Sequence, residues 1–137
     1  INHKTLDRIN SLVKKYNFIW ILGNHDKAFI NINYLQGSFV EAYSENDFFF
    51  THIKKDLNKN NLFELSGHYH PKYALKVNKL RYYYKCFVIG RRFCILPSFG
   101  TYTGGLDVKS QEFMKDSKEK NIKLIIIGKN KFIHKTL

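Results

Sequence analysis

The feature that most constrains the fold is a wholly apolar run at residues 18–22 that stops abruptly at Gly23-Asn24-His25-Asp26. A short, uninterrupted apolar run suits a strand buried on both faces. Upstream, Leu6, Ile9, Leu12, Val13 and Tyr16 recur at helical spacing, with Lys4, Asp7, Arg8, Lys14 and Lys15 off the stripe. That spacing predicts one amphipathic helix. A helix feeding a buried strand whose C-terminal end turns polar is an α/β pattern, and ligands in such sheets collect at those ends.

Downstream the pattern changes to short strands. Residues 39–43 and 47–51 flank Ser44-Glu45-Asn46 and read as a hairpin. Residues 62–65 form a brief strand between the polar loop 54–61 and Ser66-Gly67-His68-Tyr69-His70-Pro71. Residues 73–77, 82–89 and 93–96 continue as strands, the last two joined at Gly90-Arg91-Arg92. A glycine- and aromatic-rich loop spans 97–105, and a short helical or irregular piece covers 111–118. Residues 123–127 and 131–134 close the chain as a hairpin turning at Gly128-Lys129-Asn130. No linker separates these pieces, so one domain over residues 1–137 is expected.

Composition narrows the partners. With 137 residues the chain has room for one modest core, and 44% hydrophobic content argues against disorder. No apolar run reaches the ~20 residues needed to cross a bilayer as a helix, and no signal-peptide pattern opens the chain. Two cysteines, Cys86 and Cys94, do not make a disulfide framework. They flank the Gly90 turn as expected cross-strand neighbours, and free thiols in a cytoplasmic protein are the expectation. A net charge of +12 invites a polyanionic ligand. Heavy use of Lys, Asn and Ile, as in a chain encoded by AT-rich DNA, explains the same charge as solvated surface.

Three elements carry chemistry. In the first, Gly23 lets the backbone turn sharply, Asn24 offers a hard oxygen donor, His25 is a candidate acid, and Asp26 can hold its ring. In the second, Gly67-His68-Tyr69-His70, an extended segment would turn both imidazoles to one side, and Pro71 disfavours helix at His70. Two ordinary loop histidines are the bland alternative. The third is His52, after Phe48-Phe49-Phe50 at the polar end of a strand. A lone histidine is more often satisfied by a hydrogen bond than by a metal, but this one lies between the other two elements. Weaker features are Lys27, Lys54, Lys55 and Lys72, which could attract phosphate. Tyr82, Tyr83, Tyr84, Phe99 and Tyr102 could stack bases, although packing is the commoner use of strand aromatics.

Together, Gly-Asn-His-Asp, then a single His, then Gly-His-x-His resembles the calcineurin-like metallophosphoesterases. Residues 66–71, Lys85-Cys86-Phe87 and above all 96–108 look like the bacterial branch named ligase-associated DNA damage response endonuclease (PdeM). The resemblance implies an α/β fold, the C-terminal portion of a two-sheet sandwich with flanking helices. It implies two divalent metal ions, Mn first, with Fe or Zn as alternatives. Asn24, His52 and His68 would ligate one metal and His70 the other. His25 would help the leaving oxygen, with Asp26 as its orienting partner. The family's Asp-x-His and Gly-Asp segments would precede Ile1, so this chain is expected to supply only part of the ligands.

The resulting expectation is metal-dependent hydrolysis of a phosphoester, with DNA as a substrate, no membrane partner, and weak activity unless a complementary N-terminal fragment joins. Two rivals stay open. A basic, non-catalytic nucleic-acid-binding module would lose affinity with salt but ignore chelator. A remnant of a split or decayed gene would give no folded product alone.

Overall fold

A computed structural model describes residues 3–26, 35–55, 61–117, 119 and 121–137. Lys27, loop residues 56–60 and Lys118, all named above, lie outside the described residues. The predicted amphipathic stripe forms helix α1, His3–Lys15, whose last turn carries Lys14 and Lys15, the charge sign favoured at that end by the helix dipole. No residue of α1 is fully buried, and Leu12 and Tyr16 are about half exposed.

Strand β1, Ile19–Ile21, pairs in parallel with β2, Ser38–Val40, setting Trp20 opposite Phe39. β1 is half-buried along its length, not covered on both faces as the apolar run predicts. Among the described residues its only ladder partner is β2. The predicted strand 39–43 is in fact two: Glu41 separates β2 from β3, Ala42–Glu45. β3 then pairs antiparallel with β4, Phe48–Thr51, around a turn where Asn46 takes a positive φ of 51°.

The larger sheet is built from β3 and β4 together with β5 (Phe63–Ser66), β6 (Lys72–Val77), β7 (Leu80–Ile89), β8 (Phe93–Ile95), β9 (Lys123–Ile127) and β10 (Phe132–Thr136). Its order is β10-β9-β7-β8-β5-β4-β3, with β6 on the first part of β7. β4, β5 and β8 run parallel as neighbours, with Thr51 beside Ser66 and Ser66 beside Ile95. Three strands therefore end along one edge, and the residues that follow them start side by side. That edge is where the site lies.

The core sits where the period-two alternation of β9 buries Leu124 and Ile126 against Val88, Phe93 and Ile95. Helix α2, Gln111–Ser117, closes it by inserting Phe113, which is 1% exposed. Ser110 caps that helix by accepting from the Phe113 amide at 3.2 Å. Both thiols are free and buried. They are not cross-strand neighbours, because the register places Cys86 opposite Ile126 and Cys94 opposite Ile89. Burial, with a contribution from Asp107, pushes the Cys86 thiol up to about 12, so it stays protonated and inert.

Among the described residues no helix is long and apolar enough to cross a membrane. The fold is α/β, a large mixed sheet with few helices, compatible with a partial sandwich domain.

Candidate functional site

The site begins with the strand ends. β4 delivers His52 and β5 delivers Gly67 and His68, and the two segments are tied by a hydrogen bond from the Gly67 amide to the His52 carbonyl at 3.0 Å. β1 delivers Gly23 and Asn24, its exit held by the Leu22 amide donating to Val40 at 2.8 Å. The three pieces meet at the His52 ring. Its Nε2 lies 3.0 Å from Asn24 Oδ1 and 3.1 Å from His68 Nδ1. Gly23 makes this approach possible, since a Cβ there would stand 2.7 Å from His52 Cε1.

His25, His70 and the residues just named Asn24, His52 and His68 all line one cavity of about 540 Å³. All the metal-ligand candidates of the sequence, with the candidate acid, are therefore brought together. The Asp26 carboxylate accepts from the Gly23 amide at 2.7 Å, so it braces the backbone of the loop that carries His25.

The geometry of Gly67-His68-Tyr69-His70 corrects the sequence reading. The segment is not extended: His68 and His70 adopt positive φ values of 60° and 47°. The two rings reach the cavity through a pair of left-handed bends, a conformation rare for residues with a Cβ and concentrated at functional sites. Tyr69, between them, packs edge-on against both His68 and Phe113, with centroids 5.3 and 6.0 Å away. It thereby links the bends to the core.

Several further residues line the cavity without a site role assigned from sequence. Gly104 and Gly105 form part of the wall, and Glu112 of α2 adds a carboxylate. A serine cap followed by a carboxylate in the first helical turn was the available signal for Glu112. The loop 97–105 is held by two lysines, Lys72, which the sequence offers as a phosphate-attracting residue, and Lys85. Lys85 Nζ donates to the carbonyls of Ser98 at 2.8 Å and Gly100 at 2.6 Å, and Lys72 Nζ to that of Thr103 at 3.0 Å.

The donor set suits a divalent cation. With ligand bonds of about 2.1 Å, neighbouring donors stand roughly 3.0–3.4 Å apart, which matches the two separations at His52 Nε2. Among the described residues no three His, Cys, Asp or Glu groups converge on one point. What converges is two imidazoles and an amide oxygen. Desolvation by burial, then the neighbouring His68, lowers the pKa of His52. The same causes lower that of His70, with Lys72 and Lys85 adding to them. Both rings are thus biased toward the neutral form that can ligate.

This has a consequence for the metal-free chain. A histidine whose folded pKa lies below its unfolded 6.5 takes up protons more readily when unfolded. Its contribution to stability is complete above about pH 6.5 and is lost as the pH falls from there toward the lowered values. Thermal melts in chelator are expected to give a lower Tm at about pH 5 than at about pH 7.5. The double variant His52→Gln, His70→Gln should show a flatter dependence, and an unchanged slope would remove these two rings as its source.

No family model matches the chain, and no curated protein does. Among solved structures, the crystal structure of Pseudomonas putida nuclease MPE is similar to it, with a TM-score of 0.69 and 26% sequence identity. The similarity covers 97% of this chain and 60% of that one, so the chain spans about 60% of the length of its neighbour. Over nearly all of its residues, the chain is similar in fold and in part in sequence to a nuclease.

Proposed function

We propose that this chain forms part of a metal-dependent phosphoesterase of the calcineurin-like type, nearest the ligase-associated endonuclease (PdeM) branch, acting on phosphodiesters with DNA as substrate. The observation that carries this reading is the convergence of Asn24 Oδ1 and His68 Nδ1 on His52 Nε2 at 3.0 and 3.1 Å. It occurs at the C-terminal ends of parallel strands, in a chain similar to a nuclease.

In this reading Asn24, His52 and His68 hold one divalent cation and His70 a second, Mn first with Fe or Zn as alternatives. Bound there, the cations would supply Lewis acidity toward the phosphoryl oxygens and offset the charge that develops on them. The remaining ligands would come from outside the described residues. The chain's own groups do the rest. Neutral imidazoles and an amide oxygen bind cations without cancelling their charge, leaving it to act on the phosphate. His25, on the loop braced by Asp26, gives its proton to the leaving oxygen. The bends at His68 and His70 set the backbone from which both rings reach the cavity, which lowers the ordering left to substrate binding.

The test is hydrolysis of bis-p-nitrophenyl phosphate with added Mn, with and without chelator. Weak, chelator-sensitive release is expected, slower by about 10²-fold or more in His25→Ala. Release that ignores the chelator would count against the metal, and equal rates in the variant against His25. Salt-sensitive DNA binding with no hydrolysis under any metal would favour the non-catalytic module instead.

A further inference from the structure

Loop 97–105 presents its two aromatic residues to solvent without cover: Phe99 is 105% and Tyr102 101% exposed relative to a free residue. They differ in this from the other aromatics suggested for stacking. Tyr84 is packed against the core, and Tyr82 and Tyr83 retain about half their exposure along β7. Full exposure of a phenylalanine gives up the stabilisation that burial provides, so a floppy loop would be expected to fold the ring down.

This loop is instead pinned in an open shape. The Lys85 ammonium gathers the carbonyls on both sides of Phe99 and reaches that of Phe99 itself at 3.4 Å. Lys72 holds Thr103, and the Thr103 hydroxyl donates to the Gly100 carbonyl at 2.9 Å. The far end of the loop is wall: Gly104, Gly105 and Leu106 line the same cavity as the histidines. Two rings are therefore held out on a loop whose end runs into the cavity wall, with two ammonium groups pinning its carbonyls, on a chain of net charge +12.

A ligand that matches both features must carry negative charge and flat apolar faces. A nucleic-acid strand with unstacked bases does so, whereas a paired duplex keeps its base faces covered. We propose that Phe99 and Tyr102 are base-stacking residues that receive an unpaired strand at the rim of the cavity. The inference rests on the phosphoesterase reading for the role of the cavity, and it adds the feature of the nucleic acid that this loop selects.

The experiment is fluorescence anisotropy with labelled single-stranded oligothymidylate, its abasic counterpart and a blunt duplex, all in chelator so that nothing is cut. Phe99→Ala and Tyr102→Ala should each weaken oligothymidylate binding about tenfold and leave abasic binding as in the wild-type chain. Tyr102→Phe, which keeps the ring, should bind as the wild type does. Three binding results would overturn the proposal. They are failure of the wild-type chain to bind the strand, equal binding by the alanine variants, or an equal loss on the abasic strand. A wild-type dimer dissociated by Phe99→Ala in sedimentation would reassign the rings to a contact between copies. Because the measurement needs no metal, a chain that stacks bases but never hydrolyses phosphoesters would leave this inference standing and remove the catalytic one. The reverse pattern would do the opposite.

Discussion

His52→Ala is expected to weaken Mn binding by about a hundredfold or more, measured by calorimetry or by Mn electron paramagnetic resonance at about pH 8. His52 is the hub of the donor set: its Nε2 is within 3.1 Å of both Asn24 Oδ1 and His68 Nδ1. Loss of a partner that merely orients a ligand typically lowers affinity roughly 10- to 100-fold, and removing a ligand should exceed that. The ring is half-buried at the sheet edge, outside the core cluster, so far-ultraviolet circular dichroism should be unchanged. Gly23→Ala offers an independent route to the same failure. Its Cβ would meet the His52 ring at 2.7 Å and push it off the shared point without deleting any donor. An intermediate loss of about tenfold is expected there. Wild-type affinity in both variants would show that the three atoms are neighbours by packing alone.

The order of effects follows from how the strands end. His52, His68 and the loop after β8 come from segments far apart in sequence, yet parallel pairing puts Thr51, Ser66 and Ile95 in adjacent register. None of that pairing can be read from the chain. Apolar runs mark where strands are, but which strand lies beside which is decided by long-range packing. The same limit explains residues 39–43. Their pattern reads as one strand, while the structure gives Ser38–Val40 to β1 and Ala42–Glu45 to β4.

Turn chemistry and periodicity were more legible. The helix stripe, the Gly128-Lys129-Asn130 turn and the polar residues closing β1 all fall where local signals place them. Asn24, His52, His68 and His70 also line one cavity, an arrangement that the family resemblance implies but that no local signal in the chain places. The backbone at His68 and His70 did not follow the same logic. Pro71 argues only against helix at the residue before it. The left-handed bends lie where the 105–108 segment is zipped alongside, with Leu106 donating to Tyr69 and Lys72 to Leu106 at 3.1 and 2.9 Å. The contacts of Lys72 and Lys85 are illegible for a related reason: a lysine's target carbonyls are set by tertiary structure, not by its neighbours in sequence.

That zipper makes Gly105 the position where one methyl group should do most harm. Gly105 has φ of +154°, and a Cβ there would fall on the His70 carbonyl oxygen, far inside van der Waals contact, with the His70 Cβ only 3.1 Å away. The obstacle is backbone, so no side-chain rotation relieves it. Either the hydrogen bonds joining 105–108 to 69–72 break, or the His70 bend shifts out of the cavity wall. Gly105→Ala is therefore expected to lose about 3 kcal/mol of stability, roughly 10 °C in Tm for a chain of this size. Gly104→Ala, one residue earlier on the same wall, meets nothing within 4 Å among the described residues and should stay within about 0.5 kcal/mol of the wild type. Urea or thermal unfolding of the two variants side by side decides the matter. Equal stability would mean that the approach of Gly105 to His70 is slack rather than fixed, and that the bends at His68 and His70 are held by something other than this segment.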